Sequence, residues 1–332
     1  MLTKSRKGMI RLIFQKQIEK VYRAQMFSRQ EISNAVFYFS AKDFDGLHKE
    51  PYIFTAAAGQ RLQGYFYFYD SPEKNRVIVF DHGMGAGHRA YMKEIETLAR
   101  HGYLVFAYDH TGCVESEGEN TNGFAQSLSD LDACLKALKA DETLQDRTFA
   151  VVGHSWGAFS CQNIAAFHPD ITHIVAMSGF VSVEAIVNQN FDGALKPFRK
   201  AILALEQDAN PKYAACHAVE SLKKTNAKTL ILHSADDPLV KREFHFDVMK
   251  NGLADKENIR FLLVDGKKHN PNYTTDAVKY KDSFFAILTK KMKKRELNEE
   301  AAEDAFRKSF DWNRMTAQDK NVWKEIFDVL DT

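Results

Sequence analysis

The sequence contains no apolar run of about 18 residues, which excludes a membrane-spanning helix. Cysteine is scarce: the four residues show neither a C-x-x-C pair nor the spacing of metal ligands, so a disulfide scaffold and a zinc module are also excluded. The first apolar stretches are interrupted by charges, so no secretory signal is predicted. We therefore expect reduced thiols in a cytoplasmic protein without a bound metal.

An excess of charge of one sign is also lacking. The 45 lysines and arginines oppose 44 acids and leave a net charge of +1. A balanced chain has no overall field for nucleic acid, so we expect no nucleic-acid partner. With 332 residues, 45% of them hydrophobic and 27% charged, the chain has the composition of a globular protein with one large or two ordinary domains.

Residues 1–30 depart from this balance, because they carry eight basic side chains and one acid, a net charge of +7. Residues 8–30 place apolar side chains at three- and four-residue spacing, which predicts an amphipathic helix. These positions are Ile10, Phe14, Ile18, Val21, Tyr22 and Met26. We expect the helix to pack on the main domain or on a second subunit. An anionic membrane surface is the alternative, which we do not favour because stable anchoring usually needs a second membrane signal.

From residue 52 onward, short runs rich in Val, Ile, Leu and aromatic residues alternate with helical patterns. The runs 52–56 and 62–69 flank a turn at Gly59 and predict antiparallel strands. Parallel strands covered on both faces are predicted at 76–81, 103–109, 148–152, 173–177, 229–233 and 259–264. Helices are predicted at 90–100, 123–139, 156–167, 242–251 and 275–294. This alternation is typical of a doubly wound α/β sheet with helices on both faces.

Three segments do not fit the alternation and divide the chain. Residues 1–50 are predicted to be an amino-terminal helical extension of a main domain at 51–290. Within that domain the long connection at 179–228 predicts a helical lid insertion. Residues 291–332 predict a helical tail packed on the domain, in which Thr316 with Asp319 resembles the capped start of the last helix.

The strongest functional signal is GHSWG at residues 153–157. It directly follows an apolar strand pattern and directly precedes an apolar helical pattern, which is the setting of a nucleophile elbow. The two glycines remove side chains that would clash in so tight a turn, and the helix N-terminus supplies positive potential. Ser155 is therefore the candidate nucleophile, and a glycine-rich turn without function is the alternative.

A serine hydroxyl needs a base, and a histidine base needs a carboxylate that fixes its tautomer. His269 follows the last predicted strand through a short loop, and Asp237 lies just beyond the strand at 229–233. The chain order Ser155, Asp237, His269 is the one expected for a triad on this kind of sheet. Asp236 is the alternative acid, but we favour Asp237 because it opens the Asp-Pro-x-Val turn.

The developing oxyanion needs backbone donors. We expect these to be the N–H of Trp156, which follows the nucleophile, and the N–H of Met84 in the loop HGMGAG at residues 82–87. Glycines let this loop approach a substrate closely. The same loop suits a phosphate, but neither G-x-G-x-x-G nor G-K-[ST] occurs, so no nucleotide cofactor is expected.

Together these motifs resemble the α/β-hydrolase superfamily, and most closely its bacterial esterase, lipase and serine-aminopeptidase-type serine hydrolases. The matching pieces are HGMG, YDHTGCVESEG, GHSWG, SADDPLV and KKHNP, within roughly residues 50–290. The resemblance implies a mostly parallel eight-stranded sheet and hydrolysis through an acyl-enzyme, without metal or organic cofactor. Thr111 and Val114 stand where many relatives carry Arg and Gly, from which we expect a local change in loop packing.

The function expected from the motifs and the resemblance is hydrolysis of a carboxylic ester with a small or medium acyl group. A thioesterase, an amidase and a peptidase use the same triad and stay open as alternatives, as does a membrane-surface lipase docked through residues 8–30. A non-catalytic ligand-binding module is a different class, against which a complete triad argues. The expected partner is a small-molecule substrate, with a homo-oligomer as an option.

Overall fold

One sheet runs through the protein, whose computed structural model describes residues 4–70 and 72–332, with side chains described from residue 12 onward. The strands are β1 (Leu47–Thr55), β2 (Arg61–Tyr69), β3 (Arg76–Asp81), β4 (Leu104–Tyr108), β5 (Thr148–His154), β6 (His173–Met177), β7 (Lys228–Ser234) and β8 (Ile259–Val264). Their order is β1-β2-β4-β3-β5-β6-β7-β8, in which β2 is antiparallel to β1 and β4 and the other neighbours are parallel. The expected eight-stranded, mostly parallel sheet is confirmed.

Helices cover both faces of this sheet. They are α1 (Lys4–Met26), α2 (Met92–Arg100), α3 (Gln126–Ala140), α4 (Trp156–Ile164), α5 (Val183–Asn190), α6 (Arg199–Ala209), α7 (Ala218–Lys223), α8 (Phe246–Gly252), α9 (Thr275–Lys293), α10 (Glu300–Lys308), α11 (Trp312–Met315) and α12 (Lys320–Leu330). One core contains α3 and α4, and the core on the opposite face contains α2 and α12. Strands covered on both faces read as near-continuous apolar runs, which is why β3, β5 and β6 were visible in the sequence.

The segments outside the alternation have the following structure. The connection from β6 to β7 holds α5, α6 and α7, so the helical content predicted there is present. Strand β1 begins at Leu47, before the predicted boundary at residue 51. Several helices also begin later than predicted; for example, Arg242–Phe244 is a separate 3-10 turn and α8 begins at Phe246.

Helix α1 ends at Met26, so the prediction of helix as far as residue 30 is wrong. The following residues make loop contacts that a helix could not make. Gln30 forms a parallel bridge with Cys113, and the Arg29 guanidinium donates to three carbonyl oxygens of the loop 114–118 at 2.6–3.0 Å. The amino-terminal segment is thereby tied to the loop that follows β4.

Val114, in that loop, has an unusual backbone conformation. Its φ is +39°, in the left-handed region that a β-branched side chain rarely adopts. The Val114 carbonyl accepts from Arg29, and its N–H donates to the carbonyl of Gln30 at 2.9 Å. Contacts from the amino-terminal segment therefore hold a backbone conformation that a glycine would adopt without strain.

The apolar stripe predicted for the amino-terminal helix is only partly buried. Phe14 and Val21 are 59% and 48% exposed, and the Ile10 side chain lies outside the described residues. Tyr22, in contrast, is buried, and its hydroxyl donates to Glu206 Oε1 on α6 at 2.5 Å. The helix therefore docks on the protein through its carboxyl-terminal half.

The last helix begins at Lys320, so the predicted start at Thr316 is wrong. Asp319 is its N-cap and accepts the backbone N–H groups of Asn321 and Val322. The Thr316 hydroxyl instead donates to the carbonyl of Trp312 at 2.7 Å. Asp319 was the nearer capping candidate, because a cap side chain bonds to backbone two or three residues ahead.

Asp319 should contribute measurably to stability. It caps α12 and forms an ion pair with Lys267, whose side chain is only 8% exposed. Asp319→Ala should lower the free energy of unfolding by about 1–3 kcal/mol, because the cap is lost and the ammonium loses its partner. Urea denaturation measures this change. Asp328→Ala, which removes an exposed acid from the same helix, is the matched control and should cost less than about 0.5 kcal/mol. Equal losses in both variants would contradict the assignment.

Glu206 should make stability fall as pH rises. Burial raises the pKa of Glu206 to about 7 from an ordinary value of 4.5. Since the unfolded carboxyl ionises first, the stabilisation is complete below pH 4.5, is lost as pH rises toward about 7, and is absent above it. Thermal midpoints across this range should show the advantage of wild type over Glu206→Gln shrinking with pH. Asp208→Asn, at an exposed position on the same helix, is the control. The difference in thermal midpoint between wild type and this variant should not change with pH. A constant difference for Glu206→Gln would refute the effect.

Candidate active site

Ser155 lies between the end of β5 and the first turn of α4. Its φ and ψ are 56° and −111°, a conformation that non-glycine residues rarely adopt outside functional sites. A Cβ on Gly157 would lie 2.0 Å from the carbonyl oxygen of Asp81, and one on Gly153 would lie 2.6 Å from the Gly157 backbone. The GHSWG segment therefore adopts a strand–turn–helix elbow that both glycines make sterically feasible.

Two hydrogen bonds connect the three residues predicted for the triad. His269 Nε2 lies 2.8 Å from Ser155 Oγ, and His269 Nδ1 lies 2.8 Å from Asp237 Oδ2. A neutral ring protonated at Nδ1 donates to the carboxylate and accepts from the hydroxyl. The residues meet because β5, β7 and β8 are parallel and their carboxyl ends share one edge of the sheet.

Asp237, and not its neighbour Asp236, contacts the histidine. The second oxygen of Asp237 accepts two backbone N–H groups of its own turn, at 2.9 and 3.1 Å. Burial alone would raise the pKa of Asp237, but the hydrogen bonds from His269 and from the N–H of Val240 keep it below the ordinary value, so the carboxylate stays ionised. Asp236 instead accepts from the Ser234 hydroxyl and from backbone N–H groups of the loop that carries His269.

The loop after β3 lies against Ser155. A Cβ on Gly83 would lie 3.3 Å from the Cβ of Ser155. Within the described part of the chain, neither the N–H of Met84 nor that of Trp156 donates a hydrogen bond. Two unengaged donors beside a nucleophile, one of them at a helix N-terminus, are what an oxyanion hole requires.

His154, inside the GHSWG segment, supports the backbone of His269. Its Nε2 lies 2.6 Å from the His269 carbonyl oxygen, and its Nδ1 lies 2.9 Å from the Tyr91 hydroxyl. Burial lowers the pKa of His154 to about 3, so the ring is neutral. Nε2–H therefore donates to the carbonyl, and Nδ1 accepts from the tyrosine.

Sequence reasoning missed a buried ionic cluster below the loop after β3. Asp81, His110 and Asp130 are all fully buried, and His110 pairs with both carboxylates. Burial alone would lower the pKa of His110, but the two carboxylates raise it to about 9. The N–H of His110 also donates to His82 Nε2 at 3.0 Å, which links the cluster to the loop. One feature of the sequence pointed to this cluster: His82 follows β3 and His110 follows β4, and both strands were expected in the same sheet.

The carboxyl-terminal segment holds the loop that carries His269. The N–H of Asp319 donates to the carbonyl of Asn272 at 2.8 Å, and a second backbone hydrogen bond of 3.0 Å joins the same two segments. Lys267, at the start of the loop, pairs with Asp319 and donates to the Tyr273 carbonyl at 2.7 Å. The sequence contained no signal for this support, because the two segments are far apart along the chain.

No group of three or more His, Cys, Asp or Glu side chains among the described residues is arranged to hold a metal ion. No described helix combines the length and apolar character needed to cross a membrane.

Comparison with known proteins identifies relatives of this arrangement. The family model for serine aminopeptidase, S33, matches residues 72–253. A monoglyceride lipase homolog of Monkeypox virus is 24% identical over 238 residues, which cover 61% of this chain and 84% of that protein. An esterase of Pyrococcus furiosus has a TM-score of 0.58 at 18% identity, covering 80% of this chain and 98% of that one.

A further solved structure has the same fold within a longer chain. The acylaminoacyl peptidase of Pyrococcus horikoshii has a TM-score of 0.54 at 16% identity, covering 69% of this chain and 39% of that one. At such identity the two structures support the fold alone, whereas the family model covers more than half of this sequence. The chain therefore belongs to the serine aminopeptidase S33 family and is a serine hydrolase with the α/β-hydrolase fold.

Proposed function

We propose that this protein hydrolyses carboxylic esters through an acyl-enzyme formed on Ser155. The observation that carries the proposal is the pair of 2.8 Å hydrogen bonds that joins Ser155, His269 and Asp237. The unengaged N–H groups of Met84 and Trp156 beside them add the expected oxyanion donors. A non-catalytic ligand-binding module would have no use for this full set of groups.

The reaction follows from the roles of these groups. Ser155 Oγ attacks the acyl carbonyl carbon while His269 Nε2 takes the hydroxyl proton, and Asp237 stabilises the imidazolium that forms. The two N–H groups stabilise the oxyanion, which then collapses and expels the alcohol oxygen with the proton from His269. Water then attacks the acyl carbonyl carbon while the same nitrogen takes its proton. The bond to the Ser155 oxygen breaks, that oxygen takes the proton from His269, and the carboxylic acid is released.

Two considerations support an ester over a peptide with a free amino terminus. The monoglyceride lipase homolog and the P. furiosus esterase are named for ester substrates. An aminopeptidase must bind a substrate ammonium, for which a carboxylate is the natural partner. The cavity bordered by Met84 and Asn270 has basic residues and no acidic residue among its described lining. Thioesterase and amidase activities use the same triad and remain alternatives.

We infer supporting roles for the other segments. Residues 179–228, with α5, α6 and α7, are proposed to be a lid, because this connection follows β6, next to the strand that carries the nucleophile. Helix α1 is proposed to be a brace, supported by the contact of Tyr22 with Glu206. The exposed Phe14 and Val21 keep a lipid surface or a second subunit as alternatives. The four free cysteines support a reducing, cytoplasmic location.

Ser155→Ala should abolish labelling by a fluorophosphonate probe and lower kcat for a nitrophenyl ester by about 10⁴-fold or more, because no other group can form the acyl-enzyme. Gel fluorescence and steady-state kinetics measure the two effects. Ser283→Ala, at an exposed position on α9, is the matched control and should label and turn over like wild type. If Ser155→Ala still labels and hydrolyses normally, the proposed function is lost.

Asp237→Asn should lower kcat by about 10³–10⁴-fold, because the histidine loses its anionic partner and the tautomer that accepts the serine proton. Asp236→Asn is the matched neighbour, and should cost less than tenfold because its contacts are to Ser234 and backbone N–H groups. Steady-state kinetics at one pH compare the two variants, with thermal unfolding to establish that each is folded. The reverse ranking would assign the acid to Asp236.

A further inference from the structure

A cavity of about 490 Å³ borders the candidate active site on the side of Met84 and Asn270. Met84 carries one expected oxyanion donor, and Asn270 directly follows the histidine. Much of its wall comes from residues 33–39, helix α9 and residues 312–316, which all lie outside the segment matched by the family model. Residues 33–39 on the amino-terminal side, and α9 with residues 312–316 on the carboxyl-terminal side, therefore form much of a cavity next to the candidate active site.

The wall of this cavity is mostly apolar, and several of its side chains are buried. Phe284 is fully buried, and Met92 and Met315 are 2% and 3% exposed. Phe285 and Met292, in contrast, are 45% and 63% exposed and mark the side open to solvent. A volume of this size is within the range of about 300–1,000 Å³ that small-molecule sites occupy.

The charges in this cavity are all of one sign. Among the described lining residues, Arg89, Lys93 and Lys281 are basic and none is acidic. Lys93 and Lys281 each donate to a neutral side-chain amide oxygen, at 2.7 and 3.0 Å. Burial lowers the pKa of Lys281, and the nearby charge of Glu94 opposes this. Half-buried Arg89 makes no hydrogen bond or ion pair with any side chain in the described part of the chain. Arg89 is thus the basic residue of this lining that has no anionic side-chain partner among the described residues.

We propose that this cavity binds the apolar part of an ester substrate that also carries one anionic group, a carboxylate or a phosphate, and that Arg89 binds this group. The proposal rests on the proposed function and adds its substrate class. A partly desolvated cation gains most from a charged partner, and a guanidinium matches both oxyanions with two parallel hydrogen bonds. Met84 and Asn270 border the cavity and are close along the chain to the expected oxyanion donor and to His269, so in this proposal an apolar chain in the cavity extends toward Ser155.

Binding without turnover tests this proposal directly. Trp312 lines the cavity, so its fluorescence should report binding of octanoate, octyl phosphate and octanol to the full chain. Both anions should bind at least about tenfold more tightly than octanol, and Arg89→Gln should remove this difference. Arg89→Lys should retain part of it, since the charge remains and the fork is lost. Trp312→Phe should abolish the fluorescence change, with calorimetry then showing that binding persists.

Arg100→Gln is the matched control, because it removes an exposed guanidinium from α2 that does not line the cavity. It should keep the preference for anions. A tighter complex with octanoate than with octyl phosphate would identify a carboxylate as the natural group, and the reverse order a phosphate. Octanol binding as tightly as the anions, or an anion preference that survives in Arg89→Gln, would overturn the proposal.

A kinetic comparison separates this proposal from the proposed function. Wild type should hydrolyse the nitrophenyl monoester of adipate with a higher kcat/KM than the neutral hexanoate ester, and Arg89→Gln should lower that ratio by about tenfold. Hydrolysis of both esters without a charge preference would overturn the substrate class and leave the function intact. If anions bind as expected but the Ser155→Ala variant still labels, the proposed function is lost and the binding site is retained, because binding does not use the serine.

Discussion

The hydrogen bond between Ser155 Oγ and His269 Nε2 is the contact on which the rest of the site depends. It joins residues 114 positions apart, and a change of 1 Å would remove the proton path between them. The parallel sheet brings the two loops to one edge, but an edge alone does not determine a 2.8 Å distance. The strained backbone at Ser155 presents the hydroxyl, and contacts from three directions position the histidine.

Those contacts come from very different parts of the chain. Asp237 fixes the ring, His154 holds the backbone carbonyl of His269, and the segment around Asp319 holds the loop from outside. Only the first of these contacts is made by another residue of the candidate triad. The carboxyl-terminal segment therefore does more than cover the sheet, because the ion pair between Lys267 and Asp319 connects the last helix to the loop that carries His269.

In our proposal, residues 33–39 and 275–316 adapt a shared fold to a specific substrate. The segment common to the family, residues 72–253, contains the serine, the acid and the oxyanion loop. In our proposal, residues outside it build the cavity that selects an anionic ester. This division agrees with the general observation that function lies in sites added to folds used for many purposes.

The sequence by itself determined the strands, the elbow and the three residues of the candidate triad, because each depends on a local pattern. Apolar runs mark buried strands, and two glycines mark a tight turn. Asp237 and His269 were found because each follows a predicted strand, β7 or β8. Tertiary structure alone decided the contacts of His110, the support from Asp319 and the half-buried face of α1. These depend on which distant surfaces meet, and a pattern of neighbouring residues contains no information about a partner far along the chain.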